Sequence, residues 1–156
     1  MIVDTFAEFG DNKALNTGAA GSYLIGNVID TLPNAGGVGG NITSNLSGTR
    51  PLWLVIQVTT TATSGGSATG QFSLCSDAQA AIAVDGSQTT HYTGPAIAVA
   101  TLVAGYRYCV VPLPAGTYER YLGIVQTTGT AAFTAGKVDM FLTETPNIYT
   151  NYNDAI

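Results

Sequence analysis

Few residues in this chain are of a type that does chemistry. The one histidine, His91, stands in Thr89-Thr90-His91-Tyr92-Thr93-Gly94 ahead of Pro95, a polar context that reads as a surface turn. A zinc centre takes three or four His, Cys or carboxylate ligands, so a lone histidine builds none. A serine or cysteine nucleophile would have to share His91 with Ser87, Cys75 or Cys109, and no GxSxG elbow occurs in the sequence. Cys75 and Cys109 each lie inside an apolar run and read as two unpaired, buried thiols rather than a disulfide. Glycoside hydrolysis needs two carboxylates at a defined separation; the strand-borne candidates are Glu119, Asp139 and Glu144. Glu119 adjoins Arg120 and Asp139 lies two residues from Lys137, which suits solvated faces with local pairing better than a catalytic cleft. Gly36-Gly37-Val38-Gly39-Gly40 is not followed by the Lys-Ser/Thr of a phosphate-binding loop. The expectation is a protein with no catalytic residue, no cofactor and no metal, hence not an enzyme.

Residues suited to binding are easier to find. Arg107 stands in Tyr106-Arg107-Tyr108, and Arg120 in Tyr118-Glu119-Arg120-Tyr121. Arg and Tyr are enriched at protein interfaces, while arginine stems also cover sheet faces; both readings stay open. Charged residues make up 10% of the 156 positions, against roughly a quarter in an ordinary soluble domain. In their place, Gly, Ala and Thr supply 61 residues. Ten acidic against five basic residues leave a formal charge of −5, the wrong sign for holding phosphate backbones, so a nucleic-acid partner is not expected. No apolar run approaches the roughly 18 residues that span a bilayer. Asp4, Glu8 and Asp11 precede the first basic residue, Lys13, so no secretory signal is read here and no membrane partner is expected.

The elements that must position these residues have a period of two. In Leu52-Trp53-Leu54-Val55-Ile56-Gln57-Val58 both alternating sets are apolar, which predicts a strand covered on both sides, with Trp53 in the core and a solvated stretch over 59–66. Clean alternation over Gln71–Leu74 and Lys137–Leu142 predicts half-buried strands, with Val138, Met140 and Leu142 on one face. Tyr106–Leu113 and Tyr118–Thr127 are β-rich runs joined by a tight connection at Pro112-Leu113-Pro114-Ala115-Gly116. Tyr23–Asp30 and Ala96–Ala100 add two more strands. Asp77–Val84 is a short helix or a turn. Seven or so short strands without helical periodicity predict an all-β fold, an antiparallel jelly-roll or β-sandwich. It forms one domain over 1–156, with a 1–22 N-terminal arm, a Gly-rich loop over 33–48 and a C-terminal tail over 146–156.

An ordered set of segments then narrows the reading. Ala100-Thr101-Leu102-Val103-Ala104-Gly105-Tyr106-Arg107 is followed by Pro112-Leu113-Pro114-Ala115-Gly116, Glu119-Arg120-Tyr121-Leu122-Gly123 and Phe133-Thr134-Ala135-Gly136-Lys137-Val138. Upstream stand Met1-Ile2-Val3-Asp4, Pro51–Val58, Gly66-Ser67-Ala68-Thr69, Phe72 and Leu74. In this order they resemble the Bbp16-like capsid cement proteins of tailed bacteriophages. The resemblance implies a jelly-roll protein made in the host cytoplasm that binds the outer capsid surface of the virion. Its partners would be the major capsid protein and other copies of itself, as dimers or other small oligomers. The chain departs from that pattern in the Gly-rich segment and the tail after Pro146. Phe6 and Phe9 in the segment through Leu15, Tyr149 and Tyr152 in the tail, and Arg107 and Arg120 are the candidate interface residues. The alternative reading is a virion-associated carbohydrate-binding or host-adhesion module whose exposed aromatic residues stack on sugars. A small glycosidase using Glu119 or Glu144 is a third.

Overall fold

The computed structural model describes residues 7–31 and 52–146. Within them run β1 (Glu8–Ala14), β2 (Gly21–Asp30), β3 (Trp53–Ser64), β4 (Thr69–Asp77), β5 (Thr89–Thr93), β6 (Ile97–Ala98), β7 (Arg107–Pro112), β8 (Tyr121–Gly129) and β9 (Phe133–Thr143). The first sheet has the order β1-β9-β3-β7; the second has the order β2-β8-β4-β5, with β6 also lying along β4. All pairings are antiparallel. Most connections cross from one sheet to the other, a wiring compatible with a jelly roll. The all-β sandwich expected from the alternation is what forms.

Period-two patterning builds the core between the sheets. Leu54, Ile56 and Val58 of β3 point inward with Val138, Met140 and Leu142 of β9, facing Phe72 and Leu74 of β4 and Leu122 and Ile124 of β8. Each such side chain gains about 1.5–3 kcal/mol on full burial. Tyr108 ties the layers together: its hydroxyl donates to the Pro95 carbonyl at 2.6 Å and accepts from the Phe72 amide at 3.0 Å, and its ring meets Phe72 edge-on at 4.8 Å.

Several elements differ from the sequence expectation. Residues 8–14 and 21–22, expected within an N-terminal arm, are β1 and the start of β2, and Phe9 is a fully buried core residue rather than an interface residue. Trp53 lies on the face opposite Leu54 and Ile56 and is half-buried, so it is not part of the core. The stretch beginning at Thr59 stays in β3 as far as Ser64, because threonine suits a half-solvated strand. Asp77–Val84 leads out of β4 into bends, not a helix. The proline-rich connection after β7 runs between sheets, delivering β8 to the second one. Phe6, Tyr149, Tyr152, the Gly-rich loop and nearly all of the tail lie outside the described residues.

A smaller apolar cluster covers the outer face of the second sheet: Cys75, Ile82 and Val125, with Leu24 and Val28 against them. Ile82 is held there by the β4–β5 connection. Both Asp77 carboxylate oxygens accept backbone N–H bonds in it, from Gln79 at 3.0 Å and Ala83 at 3.2 Å. Gly123 provides the socket, since a Cβ there would stand 2.6 Å from Ile82 Cδ1. Ile82→Ala is expected to cost about 2 kcal/mol, the lower end for a buried aliphatic truncation because the site lies near the surface. Urea denaturation would measure it, and an unchanged midpoint would mean that Ile82 does not anchor the connection.

Candidate interaction surface

The groups singled out for chemistry are dispersed, and most are already engaged. His91 is not in a surface turn. It is a half-buried residue of β5, with Nε2 2.7 Å from Ser76 Oγ and its ring stacked on Tyr118 at 3.9 Å. Ser76, which the sequence did not single out, is the serine that meets the histidine. It is fully buried, and a nucleophile with no exposure cannot reach a substrate. Glu119 does not pair with Arg120; its carboxylate accepts from Thr89 Oγ1. Asp139 does not take Lys137 but the Asn12 amide at 2.7 Å and Gln57 Nε2 at 3.1 Å, on the outer face of the first sheet. Asp139 is on the outer face of β9 and Glu119 in the connection between β7 and β8, beside β4 and β5, so they are not the facing pair that glycoside hydrolysis needs. Cys75 and Cys109 are free and buried as expected. Burial pushes both thiols up, that of Cys109 to about 12, so neither is a thiolate near neutral pH.

The two arginines stand apart. Arg120 forks onto Asp30, with Nε to Oδ1 at 2.9 Å and an Nη to Oδ2 at 2.8 Å, and lies over the Tyr121 ring at 4.8 Å. Both partners are about 40% exposed, so solvent screens the pair and it contributes little stability. Arg107 is exposed on β7, an edge strand of the first sheet.

What the fold does assemble, among the described residues, is a surface without charge. Residues 14–29, 52–76, 86–106 and 121–136 contain no Asp, Glu, Lys or Arg. The pairings Gly21↔Thr128, Thr69↔Gly129, Thr69↔Ala98 and Ser64↔Phe133 bring the turns within these runs to one end of the sandwich. That end exposes Ala19, Ala20, Ser67, Ala100, Thr101 and Val103, and Val103 is one of two exposed large hydrophobic side chains among the described residues. The opposite end carries Asp30 with Arg120, Asp77, Asp85 and Glu119.

Internal hydrogen bonds fix the shape of the uncharged pole. Buried Gln126 accepts from the Asn16 amide at 2.9 Å and donates back to the Asn16 carbonyl at 3.1 Å, pinning the β1–β2 turn. Tyr23 donates to the Ala19 carbonyl at 2.8 Å, and Ser64 Oγ to the Ala132 carbonyl at 2.7 Å. The Ala104 amide donates to Thr61 Oγ1 at 3.0 Å. A surface that is already ordered and uncharged loses little conformational entropy and few charge–water interactions on contact with a partner. Among the described residues no aromatic side chain is fully exposed, and Tyr23, Trp53, Tyr92, Tyr106 and Tyr121 are half-buried. The charge-free runs are visible in the sequence one by one; their convergence is a product of the strand order.

The Bbp16 family model matches residues 9–142, from the second residue of β1 to the penultimate residue of β9. No curated protein matches the chain.

Proposed function

The chain belongs to the Bbp16 family, a bacteriophage-related family, and on that premise we propose that it is a structural protein of the virion. It binds the outer surface of the capsid, contacts the major capsid protein and other copies of itself, and fastens neighbouring capsomers without catalysis. The observation that carries this reading is the family match across nearly the whole sandwich. The uncharged pole supports it, being a shaped surface that can be covered without desolvating ions. Repetition over a lattice then multiplies a modest contact, because each bound copy raises the effective concentration for the next interaction.

The test is binding to purified particles lacking this protein, read by co-sedimentation and by a map of the decorated particle. Ser67→Asp and Ala100→Glu, each adding a charge to the pole, are expected to cut occupancy at least tenfold, about 1.4 kcal/mol, with the melting temperature unchanged. Gln79→Glu, on the exposed β4–β5 connection at the other end, should leave occupancy alone. Undiminished occupancy in both pole variants would place the contact elsewhere on the sandwich. Density at tail fibres alone would overturn the cement reading.

A further inference from the structure

At the charged end of the sandwich, the connection between β7 and β8 is tied at its two ends by the Leu113 N–H on the Leu52 carbonyl and by Thr31 on the Arg120 carbonyl, and between those ends it meets β4 and β5 at one serine and one histidine. Ser76 follows Phe72 and Leu74 on the inward face of β4, and its side chain has no exposure. Its Oγ accepts the Glu119 backbone N–H at 3.1 Å and lies 2.7 Å from His91 Nε2. A hydroxyl has one proton to give. With Glu119 as a donor to Oγ, the arrangement that satisfies every group sends the Ser76 proton to Nε2, so the ring proton of neutral His91 sits on Nδ1. The same ring stacks on Tyr118, 3.9 Å between centroids and 23° from parallel. Tyr118 is itself buried and donates to the Pro114 carbonyl at 2.6 Å. Thr89, two residues before His91, donates to the Glu119 carboxylate.

We propose that His91 is an acid-sensitive latch: neutral, it holds residues 114–119 down on β4 and β5, and protonated, it releases them. The protonated ring has no lone pair at Nε2. Ser76 Oγ would then face two donors, the Glu119 amide and the Nε2–H, while its own proton lost its acceptor in a site with no water-accessible surface. Buried polar groups left unpaired in this way are costly.

The groups around the ring act in both directions. From the connection, the Glu119 carboxylate attracts an imidazolium, and the Tyr118 ring lies under it. From β4, Cys75 and Asp77 flank Ser76; the Cys75 thiol is held protonated by burial, and the Asp77 carboxylate is engaged by the Gln79 and Ala83 amides. Tyr92 neighbours His91 on β5, and burial holds its hydroxyl protonated. Burial shifts His91 below the ordinary imidazole range, with Glu119 opposing in part. A histidine shifted downward binds fewer protons folded than unfolded, so the closed state loses stability as pH falls through the ordinary value of about 6.5 towards the folded one.

Nuclear magnetic resonance on the intact protein tests this without any variant. The nitrogen shifts of His91 at pH 8 should identify Nε2 as the bare nitrogen, and its titration midpoint should lie below 6.5. The Glu119 amide, corrected for intrinsic exchange, should lose protection about tenfold as His91 protonates, a local opening, while the Ile124 amide in the middle of β8 keeps its protection. His91→Gln, which offers Ser76 an acceptor that does not titrate, should show no such pH dependence. An Nε2–H tautomer at pH 8, Glu119 protection that stays constant across the titration, or the same loss in His91→Gln would each overturn the latch.

Discussion

Phe9→Ala is expected to lower the free energy of unfolding by about 3–5 kcal/mol, the range for a buried phenylalanine truncation. The side chain has no exposure and belongs to the central cluster, which includes Ile25, Val58, Val138 and Met140. Its strand is one of the two edge strands of the first sheet, hydrogen-bonded only with β9, so the buried ring is a large part of what seats β1. The measurement is a urea melt of the free protein, with a lowered midpoint and an unchanged slope. A peripheral arm would behave oppositely, because trimming it leaves the midpoint where it was and changes only contacts with a partner. The distinction matters for any experiment on capsid binding. Deleting the segment through Leu15 would remove β1 and expose the core, so loss of decoration by that deletion would report unfolding rather than a missing contact. Pole substitutions that leave the melt unchanged are the cleaner probe.

The reason β1 escapes a reading of the sequence is physical. Glu8-Phe9-Gly10-Asp11-Asn12-Lys13-Ala14 shows no alternation because its pairing with β9 slips twice, between Glu8 and Gly10 and between Gly10 and Lys13, and Asn12 takes a positive φ of 50°. Each irregularity resets which face the next side chain occupies. The five residues of β5, Thr89-Thr90-His91-Tyr92-Thr93, carry the same fault, with a slip opposite Leu74 and Cys75. Where one face alternates cleanly, as in Val138, Met140 and Leu142 of β9 against Val58, Ile56 and Leu54, the period of two places the core correctly; along Leu52–Val58 both sets are apolar, and alternation alone could not tell that Trp53 faces outward.

Long-range partners were beyond reach for another reason. Arg120 meets Asp30 across 90 positions and Gln126 meets Asn16 across 110. Nothing local distinguishes Ser76 from the other serines until His91 arrives from the middle of β5 and Glu119 from the connection between β7 and β8. Composition nevertheless foreshadowed the surface. A chain with 10% charged residues must leave broad areas uncharged, and the strand order decides that these gather at one pole instead of being scattered.

Gly26→Ala should be the most damaging conservative change at a glycine. Gly26 has φ +77°, and an added Cβ would stand 2.2 Å from the Phe9 carbonyl oxygen and 3.0 Å from Met140 Cε. The methionine tip can move; the carbonyl belongs to the backbone of β1 and cannot move without lifting Phe9 from the core. Two glycines separate the contributions. Gly86 has φ +101° with nothing within 4 Å, so Gly86→Ala measures left-handed backbone strain alone, about 1–2 kcal/mol. Gly116 has open space and no such φ, so Gly116→Ala should be neutral or slightly stabilising through the unfolded chain. Gly26→Ala should exceed Gly86→Ala by at least about 2 kcal/mol, the surplus being the cost of displacing β1. In the double variant with Phe9→Ala the two losses should sum to less than their separate values, because a strand already unseated has less to lose. Denaturation midpoints of the four single variants and the double decide it. Equal costs at Gly26 and Gly86 would mean that β1 does not press against β2, and additive losses would mean that Phe9 and Gly26 stabilise separate parts of the fold.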